Sequence, residues 1–347
     1  MRGITRRSFM AAAALGAAGP AMAQDMTENE RALYDAARRE GKVTWYQGQI
    51  QAEPSEAIGR AFSERYPGVT VDVVRSTSQV AFQRLSQDMR AGVAQCDVLS
   101  STDASHFTFL KREGQLLQYR AKNADGLIEA VRHPDPDGYV QITYLGVYLI
   151  ARNTQKVSEA DAPKSWKDLL DPKWKNQLAI GHPGYSGSIG GFCLLMRRMY
   201  GWEYFTALER NKPQIGRSSD DPVTLLNAGE RSIGIAVSTG TTLLSKSRGN
   251  PLALIYPTEG AEGVPSPSGI PSNAPHPNAA KLFLEFAASP AYFRVTRQFF
   301  DISLRPEVPP PEGARPLDQT KLISNTPAEL EAGVPEVKEA WRDTFGV

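Results

Sequence analysis

Four histidines and two cysteines are all that 347 residues contain of the imidazole and thiolate ligands that transition metals favour. They form no CxxC, no HExxH and no cluster, so no ligand set for zinc, haem or an iron–sulfur centre is written in the chain. No metal and no cofactor is expected. A basic excess is missing too, since 39 Lys and Arg face 38 Asp and Glu. Nucleic acid, which demands clustered cationic charge, is therefore not an expected partner. Long apolar runs are absent: the stretch 11–18 near the start falls far short of the ~20 residues of a membrane span. Nucleophile motifs are incomplete. Gly184-Tyr185-Ser186-Gly187-Ser188 approaches the GxSxG elbow but fails at its last glycine, and no His/Asp partners are placed for it. No enzyme is expected.

What is present begins with an address. Thr5-Arg6-Arg7-Ser8-Phe9-Met10 sets an arginine pair before a weakly apolar run, and Gly19-Pro20 breaks any helix there. Ala21-Met22-Ala23 then gives the small-x-small pattern of a signal peptidase site. Residues 1–23 resemble a twin-arginine export signal cleaved after Ala23; an ordinary Sec signal is the other reading. The expected location is the periplasm. Without Arg2, Arg6 and Arg7 the remainder carries 36 cationic against 38 acidic side chains, a net charge near −2. The 324 residues left of 347 exceed one typical core, so two domains are expected.

Periodicity places helices over 28–40, 55–66, 80–91 and 104–113, alternating with strands over 42–46, 69–74 and 97–99. Strands that alternate with ten-residue helices argue for parallel βαβ units. The β-favouring run 139–153 is too long for one strand of one sheet and reads as a crossing between lobes. A Trp-anchored helix over 165–170, a strand over 178–181, a helix over 189–200 and a strand over 233–237 follow. Residues 256–277 are dense in Pro, Gly and Ser and suit the return crossing; a helix over 279–288 and a helical C-terminus end the chain. The expected lobes are 24–143 with 264–306, and 144–263 with 307–347. Cys96 and Cys193 then fall in different lobes, which favours two buried thiols over a disulfide.

Several pieces together resemble the extracellular solute-binding proteins of ABC importers, in the branch of ferric-ion and sugar-phosphate binders. They include Gly41-Lys42-Val43-Thr44-Trp45-Tyr46, Phe62-Ser63-Glu64-Arg65-Tyr66-Pro67-Gly68-Val69 and Cys96-Asp97-Val98-Leu99. Trp166-Lys167-Asp168-Leu169-Leu170-Asp171-Pro172-Lys173-Trp174-Lys175, Pro257-Thr258-Glu259-Gly260 and Pro275-His276-Pro277-Asn278-Ala279-Ala280-Lys281-Leu282-Phe283 complete the match. The resemblance implies an α/β fold of type II: two hinge-linked lobes, each a mostly parallel sheet flanked by helices, with the ligand in the cleft. It also implies a small-molecule ligand and an inner-membrane ABC permease as partners, with a monomer expected.

In open α/β sheets ligands sit outside the carboxyl ends of the strands. That rule selects Gln47 and Gly48, Ser76 and Thr77, Ser101 and Thr102, Tyr144, and Ser238 and Thr239. The sharpest piece is His182-Pro183-Gly184-Tyr185-Ser186-Gly187-Ser188 ahead of a helix. Orphan N–H groups and the helix dipole favour an anion at Ser186, Gly187 and Ser188. Plain helix capping by serine is the competing reading. Tyr185 and Tyr144 suit the cleft wall, while His182 is either a ligand donor or a structural hydrogen-bonder. His106, His133 and His276 read as structural, and Trp45 and Tyr46 as core.

The iron-binding relatives carry an adjacent tyrosine pair where this chain has Ser238-Thr239-Gly240-Thr241. Ile50 stands near their histidine and Thr102 at their glutamate. A carboxylate, phosphate or phosphonate ester is the expected cargo, with a ferric-ion–anion binder, a sensor or an enzyme on the same fold as alternatives.

Overall fold

Residues 26–347 are described by the computed structural model, so the twin-arginine pair and the Ala23 cleavage site lie outside the described residues. Chain order opens with α1 (Glu28–Glu40), β1 (Lys42–Gln47), α2 (Ala52–Arg65), β2 (Thr70–Arg75) and α3 (Ser78–Arg90). Next come β3 (Val98–Ser100), α4 (Ser105–Arg112), β4 (Leu116–Leu117) and the 13-residue β5 (Gln141–Asn153). The middle of the chain forms β6 (Leu178–Ile180), α5 (Gly187–Tyr200), α6 (Glu203–Arg210), β7 (Gln214–Ile215) and α7 (Asp221–Asn227). It continues through β8 (Ile233–Ser238), α8 (Thr239–Ser247), β9 (Leu252–Ile255) and β10 (Ala261–Pro271). The last elements are α9 (Pro277–Ala287), α10 (Pro290–Arg297), β11 (Leu322–Ile323) and α11 (Pro327–Phe345).

One continuous path of strands runs β2-β1-β3-β10-β5-β8-β6-β7. Its two ends are parallel, β1 with β2 and β3 on one side and β6 with β7 and β8 on the other. Between them β5 and β10 run antiparallel, from Glu262 opposite Tyr148 to Ser268 opposite Gln141. The run 139–153 is thus a single strand shared by both halves.

Two separate aromatic cores flank this pair. The first stacks Trp45 on Phe283 at 4.9 Å and Phe62 on Phe283 at 5.4 Å, drawing on α1, α2, α9 and α10. The second packs Trp166 against Phe192 at 4.9 Å and Phe205 against Trp341 at 5.8 Å, joining α5 and α6 to α11. Aromatic burial of this kind is the main stabilising term of each half. Cys96 and Cys193 are both buried free thiols, and each belongs to a different cluster.

Three expectations change. The run 139–153 reads as too long for one strand of one sheet, yet Gln141–Asn153 is one strand within one sheet. The helix over 165–170 is only a 3-10 turn, Lys167–Leu170. Pro172 holds Asp171 at ψ 129°, outside the helical region, which ends this turn before a second one, Pro172–Trp174, begins. The Pro-rich return is an extended strand, 11 residues long, despite Pro265 and Pro267. A register shift between Ser266 and Pro267 absorbs one proline. Pro265 lies between the pairings of β10 with β11 (Ala261, Glu262) and with β3 (Ser268, Gly269), where that edge has no ladder partner to miss its N–H.

Asp97 ties the first half together. Its buried carboxylate accepts from the Thr44 N–H at 2.7 Å and the His276 N–H at 2.7 Å, and the His276 ring Nδ1 lies 2.9 Å away. This locks β1 to the start of α9. Asp97→Ala would leave these donors buried without an acceptor, and should cost about 3 kcal/mol in urea unfolding. A loss below about 0.5 kcal/mol would show that the donors find water.

Candidate functional site

The loops after β1, β2 and β3 meet at one rim. Gly48 donates to the Ser100 carbonyl at 2.9 Å, and a Cβ on it would stand 2.8 Å from the Ser78 Cα. Only glycine allows this approach. Ser78 Oγ in turn donates to the Gly48 carbonyl at 2.7 Å, accepts from the Thr102 N–H at 3.0 Å and stands 2.7 Å from Thr102 Oγ1. Thr77 Oγ1 and Gln47 Nε2 are buried here without a partner among the described residues. Ser76 holds the rim through its N–H to the Gln47 carbonyl at 3.1 Å.

Behind the rim runs a buried chain of hydroxyls. The Trp45 indole donates to Ser100 Oγ at 2.8 Å, and Ser100 Oγ lies 2.5 Å from Ser268 Oγ. Ser268 Oγ is 2.6 Å from Thr143 Oγ1, which donates to Gln49 Oε1 at 3.2 Å. Four strands, β1, β3, β10 and β5, are thereby stitched under the cleft.

Across the cleft stands the first turn of α5. Ser186 occupies its N-cap, yet no side chain caps the helix, and Ser186 Oγ instead lies 3.0 Å from Ser188 Oγ. The turn's N–H groups keep their positive potential. Gly187 abuts the opposite rim: a Cβ there would meet the Asp103 Cβ at 2.8 Å and Thr102 Oγ1 at 2.9 Å. The two halves also touch through the Gln79 N–H to the Tyr185 carbonyl at 3.3 Å and Gln51 Nε2 to Thr241 Oγ1 at 3.2 Å.

The hinge strand β5 supplies two tyrosines. Tyr148 shares a hydrogen bond with Ser188, and Tyr144 with Ser238; burial raises both phenols, with nearby carboxylates adding to it. Beyond them is a small, partly open chamber of ≈ 20 Å³, bounded by Gln49, Gln51, Tyr144, Asp220, Thr241 and Asp301 among others. Asp220 accepts from Thr241 Oγ1 at 2.7 Å, and burial raises its pKa against the pull of Arg75. Burial pushes Asp301 up to about 8, with the charge of Asp220 contributing. Arg75, at the end of β2, donates to the Ile50 and Ser76 carbonyls and is held below its ordinary pKa by burial. Two strained residues shape this corner. Ala236 (φ 51°) precedes Ser238, and Phe300 (φ 65°) immediately precedes Asp301. Such left-handed non-glycine conformations cost about 1–2 kcal/mol and persist only where packing enforces them.

Of the residues expected from the sequence, Gly48, Thr102, Ser186, Gly187 and Ser188 face one another, and Tyr144 and Ser238 line the chamber. Others are engaged elsewhere. Ser101 Oγ accepts from the Asp103 N–H and lies 2.9 Å from His106 Nδ1, and Thr239 Oγ1 donates to the Val147 carbonyl. His182 Nδ1 accepts from the Gly184 N–H at 2.8 Å, and the ring packs on Trp341, so its contacts are structural. Tyr185 is exposed, with Arg217 4.8 Å over its ring. Sequence reasoning missed Arg75, Ser78, Tyr148, Asp220 and Asp301. Arg75 and Ser78 flank the selected loop and were within reach of the same rule, whereas Asp301 follows a helix and carries no strand-end signal.

No helix among the described residues is long and apolar enough to cross a membrane. The profile of the bacterial extracellular solute-binding protein family matches residues 95–321. An uncharacterised protein of Haemophilus influenzae is 27% identical over 243 residues, 67% of this chain and 69% of that one. A Salmonella typhimurium protein, provisionally named as a 2-aminoethylphosphonate-binding periplasmic protein, is 24% identical over 290 residues, 78% and 77% of the two chains. Among solved structures, the periplasmic binding protein AfuA of Actinobacillus pleuropneumoniae, with fructose-6-phosphate bound, superposes with a TM-score of 0.79 at 22% identity, covering 88% of this chain and 98% of that one. The shared architecture is the two-lobed, type II periplasmic-binding-protein fold. A family profile that spans most of the chain, on this fold and around this cleft, makes the protein a member of the bacterial extracellular solute-binding proteins.

Proposed function

We propose that this chain is exported by its twin-arginine signal, is cleaved after Ala23, and serves in the periplasm as the monomeric solute receptor of an ABC permease. Its lobes are residues 24–143 with 264–306 and residues 144–263 with 307–347, a division supported by the two separate cores. The cargo is a small solute with a compact oxyanion, a carboxylate, phosphate or phosphonate. The phosphonate named for the Salmonella relative and the sugar phosphate in AfuA agree with that class. The protein acts by binding alone.

One observation carries the reading: the Ser78–Thr102 hydroxyl pair faces an uncapped helix start at Ser186–Ser188 across the interlobe cleft. Hydroxyls and free N–H groups hold an oxyanion by geometry without a bound counter-ion. Tyr148 approaches the same place through Ser188, and the buried guanidinium of Arg75 adds positive potential nearby. The lobes meet where α4 packs against α11, with the Arg112–Glu331 ion pair at 2.6 Å and Lys338 donating to Gln79 Oε1 at 3.1 Å, and at a few polar contacts elsewhere. The Arg248–Glu53 ion pair at 2.6 Å is half-exposed, and pairs of that kind contribute about 0–1 kcal/mol. Closure therefore depends on the ligand, which touches both lobes only in the closed form.

Calorimetry with ethylphosphonate tests the seat. Ser188→Ala should weaken binding about tenfold, or about 1.4 kcal/mol, while Ser63→Ala on a remote helix leaves it unchanged. Equal affinities for wild type and Ser188→Ala would remove α5 from the site. Closure is tested by X-ray scattering, where saturating ligand should shrink the radius of gyration. An unchanged radius would mean a rigid, preformed pocket.

A further inference from the structure

The chamber beyond Tyr144 holds more acceptors than donors. Asp301 is buried, with only 7% of its surface exposed, lines this space, and makes no side-chain hydrogen bond among the described residues. Asp220 shares the same walls and accepts from Thr241, with Gln51 as a second donor. The charge of Arg75 acts on Asp220, and on Asp221 and Tyr148 as well. The other groups beside Asp301 are the phenols of Tyr144, Tyr148 and Tyr292, which are neutral, and the backbone of Gly240 in the first turn of α8. A buried carboxylate without a partner is costly in any protein, and costlier beside a second one. The walls come from both lobes: Gln49 and Gln51 from one, Asp220 and Thr241 from the other, with Tyr144 on the hinge strand. They come together only where the lobes meet.

Size narrows the occupant. A space of ≈ 20 Å³ holds one water-sized group. A primary ammonium is that small and brings three donors, whereas a trimethylammonium is several times larger. The chamber also adjoins the anion seat. Tyr148, bonded to Ser188, is close enough to Asp220 and Asp301 for their charges to act on it.

We propose that the cleft binds a zwitterionic solute, whose primary ammonium enters the chamber between Asp220 and Asp301 while its oxyanion occupies the Ser188 side. This inference rests on the anion-binding reading above and adds the second charged end of the cargo. A proton consequence follows. Asp301 keeps its proton up to about pH 8 in the folded protein, so a cation seated beside it at pH 7 displaces that proton to the buffer. In the unfolded chain the same group ionises near pH 4. Between those values the folded state binds more protons, and stability drops as pH rises through that window. Glu262, buried and without a partner among the described residues, acts in the same direction. Asp301→Asn should therefore gain on wild type in melting temperature from pH 5 to pH 8.

Calorimetry on the wild-type protein would compare aminoethylphosphonate, its N-trimethyl derivative, ethylphosphonate and ethylamine in two buffers of different ionisation enthalpy. The amino compound should bind at least tenfold tighter than ethylphosphonate and release close to one proton. The trimethyl derivative should bind no better than ethylphosphonate. Asp301→Asn, near-isosteric and checked by circular dichroism, should erase the amino preference, so that the variant binds aminoethylphosphonate and ethylphosphonate with affinities within about twofold of each other. Equal affinities for amino and ethyl compounds in wild type, without proton release, would overturn the ammonium seat and leave the anion seat standing. Binding of ethylamine with neither phosphonate would keep the chamber and discard the anion seat. Binding of none would overturn both.

Discussion

The antiparallel pairing of β5 with β10 is the constraint on which the rest of the molecule depends. These strands are the shared centre of the sheet, and the two aromatic cores lie on either side of them without merging. The pair is also a wall of the cleft. Tyr144 and Tyr148 project from β5, and Ser268 of β10 closes the hydroxyl chain that reaches Gln49. A change in how the halves tilt is thus transmitted directly to the groups that touch the cargo. Bending concentrates where the ladder is already interrupted, at the shift between Ser266 and Pro267 and at the one between Leu149 and Ala151.

The cleft handles polarity in two ways. At the rim, neutral donors on short tethers, the hydroxyls of Ser78, Thr102 and Ser188, are set by backbone that only Gly48 and Gly187 permit. Deeper in, ionisable groups are packed so tightly that solvent cannot stabilise their charge. The first arrangement gives shape and orientation at low electrostatic cost. The second creates a demand for charge that the protein itself leaves unmet. The ion pairs between the lobes, Arg248–Glu53 and Arg112–Glu331, are solvent-exposed and contribute little of their own.

Much of this was readable from residue order. The βαβ alternation, the long strand ending at Asn153 and the Ser186–Ser188 loop follow from period and strand-end rules that act over ten residues or fewer. What escaped has a common cause. Pro265 and Pro267 argue against a strand locally, and only the empty edge of β10 beside the first and the register shift at the second make them acceptable. Asp220 and Asp301 are ordinary carboxylates in sequence, and their meaning arises when the topology brings them together across 80 intervening residues. His182 was drawn toward the ligand by its loop, yet its ring is used by Gly184 and Trp341.

The position of α11 in the second core has a consequence for synthesis. Val337 and Trp341 complete the packing around Phe192 and Phe205, and the first core waits for Phe283 and Phe286 in α9. The second half cannot close its interior before the last helix is made, whereas the first needs the chain only through Val308. A fragment that stops before α9 therefore leaves both cores open, and one that stops before α11 leaves the second open.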